Sequence, residues 1–399
     1  MTDLLYSSAA DATVNASTTR YYACGCGPVL QNGTTEAVTQ RTERIGGVYR
    51  NLYAVLSTNT LTGNTTIRFR KNVANGNQSI TISATSTGEF SDTSNTDIVA
   101  AGDEVNYQGV TGTGTNIILR CIATIFRPAS GARNCLMAAR GAQNISAAST
   151  TYYYKINGQL SNTSGTTEDN EETTMRTTQT FNNAQVNVTT NARGTNTTMG
   201  SRKNAANGNM VVTITASTTG IFEDTSNSDS VVSGDTYNYS LTTGTGGGNI
   251  ALTGMSSTQL SSVGHMQWAS GIGSTASLAA GSTIYLPVLG GVINSNTESD
   301  WQVDALSTVR LRNMQTYITA NASTTTVTMA LRKDASNANL SVSITALTTG
   351  LFSDTSNADF FSPTQEFTYA YSGGTTGAVS ITSTTIVAEY NQGQFFNMF

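Results

Sequence analysis

Apolar and polar residues alternate over short stretches of the chain, and residues that favour turns separate these stretches. Residues 67–70 and 79–82 show this pattern on the two sides of Asn75-Gly76. A period of two around an Asn-Gly pair predicts a β-hairpin with its turn at that pair. The same pattern continues along the chain with roughly eight to ten short strands in each third, which is typical of sandwiches and barrels. The sequence therefore predicts an all-β protein.

Two motifs occur three times at nearly constant spacing. They are Arg-Lys-Asn/Asp and Gly-x-Phe-x-Asp-Thr-Ser-Asn, which begin at Arg70, Arg202 and Arg332 and at Gly88, Gly220 and Gly350. Both motifs return after 132 and then 130 residues. This period is too long for a solenoid, whose units have about 20–50 residues. We therefore predict three copies of one domain, at residues 1–128, 129–262 and 263–399.

Part of each copy resembles a known domain family. The run Gly88 to Asp92, the apolar pair Ile98-Val99, the pair Gly102-Asp103 and the apolar stretch 123–126 are similar to the complement-q/tumour-necrosis-factor-like jelly roll. The third copy has Pro363-Thr364 where Gly-Asp stood, so we expect a different turn there. The resemblance implies a jelly-roll sandwich that assembles about a threefold axis and binds partners without catalysis. Such domains in tandem triplicate are expected of bacteriophage virion surface proteins.

Three such domains in one chain have two possible arrangements. In an intrachain pseudo-trimer each domain supplies one third of a compact head, whereas in a string of beads each domain trimerises with two other chains. The linkers between the copies are short, which favours the compact arrangement. We therefore predict three tandem jelly-roll domains arranged as an intrachain pseudo-trimer.

Composition and charge exclude several classes of protein. Only 11% of the residues are charged and the net charge is −5, so the polar surface must come from neutral side chains such as the 69 threonines. This balance does not indicate nucleic-acid binding. The single histidine, His265, excludes sites that need two histidines from one chain. No apolar stretch is long enough to span a membrane, and residues 1–14 lack the features of a secretory signal.

Each copy carries a cluster of oxygen-bearing side chains in an Asp-Thr-Ser-Asn-x-Asp run. Because Ca²⁺ takes 6–8 oxygen ligands, such a run is a candidate calcium site. The alternative, which we favour, is that these side chains cap their own turn by accepting hydrogen bonds from backbone N–H groups, and we expect no cofactor. The candidate residues are Asp92, Asn95, Asp97, Asp224, Asn227, Asp229, Asp354, Asn357 and Asp359.

Other reactive groups give weaker signals. The arginines at 70, 202 and 332 are candidates to pair with the aspartates at 92, 224 and 354, or else they end a solvated strand. Cys24-Gly25-Cys26 has the spacing of a soft-metal chelate, but ordinary buried thiols are the simpler interpretation. Glu298, Asp300 and Trp301 place carboxylates beside an aromatic ring, as sugar-cleaving sites do. No nucleophile motif surrounds His265, and we predict that the chain is not an enzyme.

The last residues of the chain differ from the rest. An aromatic arm follows the final predicted strand and consists of Phe395, Phe396, Met398 and Phe399. Such an arm either folds against its own domain or docks into a neighbouring subunit. In a multi-copy assembly we expect docking.

These features together indicate a structural protein of a virus particle. We expect a bacteriophage component exposed on the head or tail, as decoration, cement, fibre or attachment protein, that is released by lysis. Its partners would be other virion proteins, copies of itself and a host-surface glycan. The alternative function is a bacterial extracellular or surface adhesin that binds glycans, and a glycan-cleaving tail enzyme has the least support.

Overall fold

The computed structural model describes residues 4–24, 32–129, 132–156, 158–159, 165–261, 265–289, 295–374 and 376–390. The regular structure in these ranges is β-sheet apart from three 3-10 turns, at Glu36–Val38, Glu168–Asn170 and Glu298–Asp300. No helix within these ranges is long and apolar enough to cross a membrane. The prediction of an all-β protein is therefore confirmed.

The strands fall into three successive sets, one in each third of the chain. In domain 1 the strands are β1 (Leu4–Asn15), β2 (Thr19–Tyr22), β3 (Asn32–Gly33), β4 (Arg41–Thr42), β5 (Gly47–Leu61), β6 (Thr65–Lys71), β7 (Ala74–Ile82), β8 (Gly88–Val99), β9 (Glu104–Val110) and β10 (Gly114–Pro128). In domain 2 they are β11 (Ala132–Ile145), β12 (Thr151–Tyr154), β13 (Gly158–Gln159), β14 (Thr173–Thr174), β15 (Gln179–Asn191), β16 (Thr197–Lys203), β17 (Ala206–Ile214), β18 (Gly220–Val231), β19 (Thr236–Thr242) and β20 (Ile250–Ser261). In domain 3 they are β21 (His265–Leu278), β22 (Thr283–Leu286), β23 (Val303–Asp304), β24 (Val309–Asn321), β25 (Val327–Lys333), β26 (Ser336–Ile344), β27 (Gly350–Phe361), β28 (Glu366–Ser372) and β29 (Val379–Tyr390).

Eight strands of domain 1 form two packed antiparallel sheets. The long-strand sheet has the order β1-β10-β5-β8, and the short-strand sheet has the order β2-β9-β6-β7. Apart from the β6–β7 hairpin, consecutive strands among these eight alternate between the two sheets, which is the strand order of the jelly roll. Domain 2 repeats the two orders as β11-β20-β15-β18 and β12-β19-β16-β17, and domain 3 repeats them as β21-β29-β24-β27 and β22-β28-β25-β26. The three predicted jelly rolls are thus present.

In strands with an alternating sequence pattern one face lies in the core, whereas β20 and β29 are buried along nearly their whole length. In β7, for example, Ile80 and Ile82 are buried while Ser79 and Thr81 point outward. The buried apolar residues of domains 1 and 3 form one continuous cluster, and those of domain 2 form a cluster of their own. Apolar packing therefore connects the first and last domains of the chain.

The hairpin predicted around Asn75-Gly76 exists, but its turn lies three residues earlier. Asn72 and Val73 connect β6 to β7 and have φ angles of 50° and 66°, the left-handed values of a two-residue hairpin turn. Gly76 instead lies inside β7, where a Cβ atom would come within 2.6 Å of Oδ1 of Asp97. The glycine is needed for the close approach of this carboxylate and not for the turn.

The turn between β27 and β28 of domain 3 has the same shape as the turn between β8 and β9 of domain 1, contrary to expectation. Thr364 has a φ of 72°, where Gly102 has 100°. Oε1 of Gln365 accepts a hydrogen bond from the N–H of Ser362 at 2.9 Å, in place of the aspartate used in the other domains. A different side chain therefore holds the same turn, at the cost of a strained threonine.

Candidate functional site

The first aspartate of each predicted calcium cluster binds backbone N–H groups. Oδ1 of Asp92 accepts hydrogen bonds from the N–H groups of Ser94 and Asn95, both at 3.1 Å, and Oδ2 accepts one from Ser79 of β7 at 2.9 Å. The Nδ2 of Asn95 donates to the same carboxylate. Although burial opposes ionisation, these hydrogen bonds hold the pKa of Asp92 below its usual value. Asp224 with Asn227 and Asp354 with Asn357 repeat the arrangement.

The second aspartate of each cluster binds the same edge strand a few residues earlier. Asp97 accepts hydrogen bonds from the N–H groups of Asn77 and Gln78 at 2.6 and 3.1 Å. Asp359 does the same in domain 3, whereas in domain 2 Asp229 accepts from the N–H of Asn209 and the N–H of Met210 donates to the Ser201 hydroxyl. Within the described ranges β7 is an edge strand paired with β6, so the carboxylates bind N–H groups that the sheet leaves open. Thus Asp92 and its equivalents cap their own turn, as the favoured alternative expects, whereas Asp97 and its equivalents cap the edge strand. Calcium binding at these nine residues stays untested.

One interpretation of the sequence paired the repeated arginines with those aspartates, but the arginines bind glutamates instead. Nε and Nη2 of Arg70 donate to the two carboxylate oxygens of Glu36 at 2.9 and 2.8 Å, and the guanidinium lies over the ring of Tyr21. Arg202 forms the same bidentate pair with Glu168, and Arg332 with Glu298. Each arginine therefore fixes the 3-10 turn of its own domain.

In each domain the 3-10 turn begins a segment that connects it to the next strand of the long-strand sheet. We call this the connecting segment; it comprises residues 36–44, 168–176 and 298–306 in the three domains. In domain 1 the N–H of Thr42 donates to Oε1 of Gln185 on β15 at 3.2 Å. Nδ2 of Asn187 donates to the carbonyl oxygens of Ala37 and Gln40 at 3.1 and 3.2 Å. The connecting segment of domain 1 thus forms a seam with the long-strand sheet of domain 2, called seam 1–2.

The connecting segment of domain 2 forms the same kind of seam with domain 3. Nε of Arg176 donates to Oε1 of Gln315 on β24 at 3.0 Å, and Gln315 donates through Nε2 to the carbonyl oxygen of Thr174 at 2.7 Å. Gln267 on β21 donates to that carbonyl oxygen as well, at 2.8 Å. Gln315 occupies the position that Gln185 has in domain 2. Seam 2–3 therefore repeats seam 1–2 with related residues.

The third seam joins domain 3 back to domain 1, where an ion pair and a cation–π contact add to the apolar packing between these domains. Nη1 of Arg120 on β10 lies 2.5 Å from Oδ1 of Asp300, and its guanidinium stands over the ring of Trp301 at 5.7 Å from the centroid. The residues equivalent to Arg120 are Thr253 in domain 2 and Thr382 in domain 3, neither of which carries a charge. Seam 3–1 closes the ring, so the three domains form a compact pseudo-trimer and not a string of beads.

The residues considered for catalysis are engaged in these structural contacts. Glu298 pairs with Arg332, Asp300 pairs with Arg120 and accepts a hydrogen bond from Ser295, and Trp301 is only 2% exposed. These three residues lie together, as the sequence suggested, but Glu298 is held by Arg332 of its own domain, and Asp300 and Trp301 face Arg120 across the seam.

The histidine and the cysteines also lie in structural surroundings. His265 contacts Glu389 at 3.2 Å and Arg312 at 3.3 Å, and burial lowers the pKa of His265. The Cys24 thiol donates to the hydroxyl of Tyr107 at 3.2 Å, and burial raises the pKa of Cys24 to about 11. Cys121 is buried too.

Several predicted positions lie outside the described residues. Cys26 is one of them, and the side chain of Cys135 is not described either. The aromatic arm, Phe395, Phe396, Met398 and Phe399, also lies outside this part of the chain. Docking of the arm therefore stays a prediction.

Sequence reasoning named Glu298, Asp300 and Trp301 for a different role and missed the other residues that form the seams and fix the 3-10 turns. Gln185, Gln315 and the glutamates at 36, 168 and 298 recur at the offsets of the repeat, and this recurrence was a signal available in the sequence. Arg120 gave no such signal because its equivalents are threonines.

No family model and no curated protein matches the chain. One similar solved chain comes from "The Triple Jelly Roll Fold and Turret Assembly in an Archaeal Virus", with 15% identity, a TM-score of 0.20, and coverage of 96% of this chain and 90% of that chain. Another comes from "Life in the extremes: atomic structure of Sulfolobus Turreted Icosahedral Virus", with 14% identity, a TM-score of 0.18, and coverage of 86% and 79%. With TM-scores this low, the jelly-roll fold rests on the strand order described above. The complement-q/tumour-necrosis-factor-like family finds no support, and only the jelly-roll part of that prediction is confirmed.

Proposed function

We propose that the protein is a non-enzymatic structural component of a virus particle, in which one chain supplies a complete trimer of jelly rolls. The observation that carries this proposal is the closed ring, in which the connecting segment of each domain is bound by the long-strand sheet of the next. A pseudo-threefold block of this kind presents three related faces, which suits contact with a symmetric particle. The particle that we have in mind is that of a bacteriophage.

The chemistry of the carboxylates supports a structural role. Glycoside hydrolysis needs one carboxylic acid and one carboxylate that both reach the sugar. Glu298 is bound by Arg332 and Asp300 by Arg120, so both are committed to ion pairs within the fold. We therefore expect no turnover of polysaccharides by this chain.

Exposed apolar side chains at equivalent positions of domains 1 and 3 suit contacts with other virion proteins. Ile98 on β8 is 72% exposed, and Phe360 holds the equivalent position on β27 with 60% exposure. Large apolar side chains at equivalent positions of two domains are typical of interaction sites when they form part of a patch. On this basis we propose that the block serves as decoration, cement, fibre or attachment protein on the head or tail.

Particle association tests the proposal directly. Mass spectrometry of gradient-purified virus particles should find the chain in constant copy number after a high-salt wash. In complemented particles, Ile98→Ser combined with Phe360→Ser should reduce the copy number, whereas Val211→Ser, also at an exposed apolar residue, should leave it unchanged. Recovery of the chain in the cell envelope of uninfected bacteria, and not in particles, would instead indicate the glycan-binding adhesin.

A further inference from the structure

Three carboxylates meet where domain 3 closes on domain 1. Ligand oxygens of Glu89 on β8, Asp304 on β23 and Glu366 on β28 all lie within 4.8 Å of one another. Asp304 and Glu366 stand directly opposite each other on paired antiparallel strands. Like charges in that relation repel and destabilise a sheet. The structure therefore concentrates negative charge at the seam that completes the ring.

The surroundings of the cluster add to its negative charge. Burial raises the pKa of Asp304, and the neighbouring Glu89 and Asp334 raise it further. Burial likewise raises the pKa of Glu366, together with Glu89, Asp304, Asp334 and Glu298. In the part of the chain that the structure describes, no lysine or arginine forms an ion pair with the three carboxylates of the cluster. The site lacks a positive charge.

A buried hydroxyl points to the same place. Tyr53 is only 2% exposed and its hydroxyl lies near Glu89, but among the residues that the structure describes it has no partner at hydrogen-bond distance. Tyr53, Glu89 and Asp304 line one cavity of about 350 Å³ between domains 1 and 3. A buried polar group without a partner costs about 1–3 kcal/mol and is uncommon in folded proteins. The cavity has room for a ligand and water that would satisfy it.

The other two seams lack the cluster, although their backbone is the same. The residues that correspond to Glu89, Asp304 and Glu366 are Ile221, Thr42 and Glu104 at seam 1–2 and Leu351, Thr174 and Thr236 at seam 2–3. The three carboxylates are therefore not required by the jelly roll or by the seam as such. They are a feature of the closing seam alone.

We propose that Glu89, Asp304 and Glu366 bind one divalent cation of the size of Ca²⁺, which links the first domain to the last. Ca²⁺ takes 6–8 oxygen ligands in a flexible geometry and binds carboxylates directly, whereas Mg²⁺ demands a near-ideal octahedron and keeps several of its waters. Water in the cavity supplies the remaining ligands, and one of these waters accepts a hydrogen bond from the Tyr53 hydroxyl. The proposal concerns the ring itself and does not depend on a role in a virus particle.

Calcium titration of the full-length chain tests the proposal. After removal of metal with EDTA and dialysis, isothermal titration with Ca²⁺ should show one ion per chain and a higher melting temperature with the ion bound. Glu89→Gln combined with Asp304→Asn should lower the affinity at least tenfold. The matched control, Glu104→Gln at seam 1–2, should bind as the wild type does.

Terbium gives a second readout that does not rely on the double variant folding. Tb³⁺ occupies calcium sites, and a nearby tyrosine excites its luminescence, so Tyr53→Phe should remove most of the emission while one ion still binds. Absence of Ca²⁺ binding at millimolar concentration, or unchanged affinity in the double variant, would overturn the proposal. Three ions per chain that are lost on Asp92→Asn and its equivalents would also overturn it, since the ions would then occupy the turns.

Discussion

The ion pair at seam 3–1 allows the ring to be weakened at one chosen place. Arg120→Ala removes the contact with Asp300 and the cation–π contact with Trp301. The side chains of Arg120 and Asp300 are 14% and 24% exposed, so the pair is neither a surface pair nor a fully buried one. Surface pairs contribute up to about 1 kcal/mol and loss of one partner of a buried pair costs about 3–5 kcal/mol. We take an intermediate value of about 2 kcal/mol for the ion pair and add about 1 kcal/mol for the cation–π contact. Arg120→Ala should therefore lower the free energy of unfolding by about 3 kcal/mol.

A double-mutant cycle separates the pair from other effects of truncation. We expect Arg120→Ala, Asp300→Ala and the double variant to give a coupling energy of about 1–2 kcal/mol in denaturant unfolding, and this energy should shrink in 1 M salt. Thr382→Ala, at the equivalent position of domain 3, should cost less than about 1 kcal/mol. A coupling energy near zero, or equal losses for Arg120→Ala and Thr382→Ala, would refute the view that charge closes this seam.

Three further changes test the aspartate contacts, the strained turn and the acidic cluster. Asp224→Asn should destabilise domain 2 by about 2 kcal/mol in calorimetry, because the charged acceptor for the N–H of Val211 is lost; an unchanged melting temperature would contradict this. Thr364→Gly should raise stability by about 1 kcal/mol, since glycine adopts a positive φ without strain, and a loss would show that the threonine side chain compensates. The pKa values of Asp304 and Glu366 are raised in the folded chain, so this seam is more stable when protonated and weakens as the pH rises through those values. Without metal, Asp304→Asn should therefore become more stable relative to the wild type as the pH rises from about 4 to about 7. A stability difference between the two proteins that stays constant over this pH range would argue against it.

Much of the fold could be predicted because local sequence patterns specify the strands and because these patterns occur in three copies. Alternation of apolar and polar residues defines strands such as β7, and the repeated motifs at Arg70 and Gly88 reveal three related domains. The position of the hairpin turn was wrong because Gly76 looks like a turn residue. Its small size in fact serves the close approach of Asp97, which is 21 residues away in the sequence. A local pattern does not reveal such a distant contact.

The seams were harder to predict because their partners are far apart in sequence and differ between copies. Thr42 and Gln185 lie in different domains, and the guanidinium of Arg120 meets Asp300 from the opposite end of the chain. In a homotrimer one sequence must serve all three seams. One chain that holds three domains can change each seam independently, which explains how the closing seam alone acquired Arg120 and the acidic cluster.

Small-angle X-ray scattering of the isolated chain tests the closed ring most directly. A single globule of this length has a radius of gyration of about 21 Å. Three domains in a row, each of about 14 Å, give about 32 Å and an elongated distance distribution. We expect the value near 21 Å with a symmetric distribution. A value above about 30 Å at low concentration would contradict the pseudo-trimer.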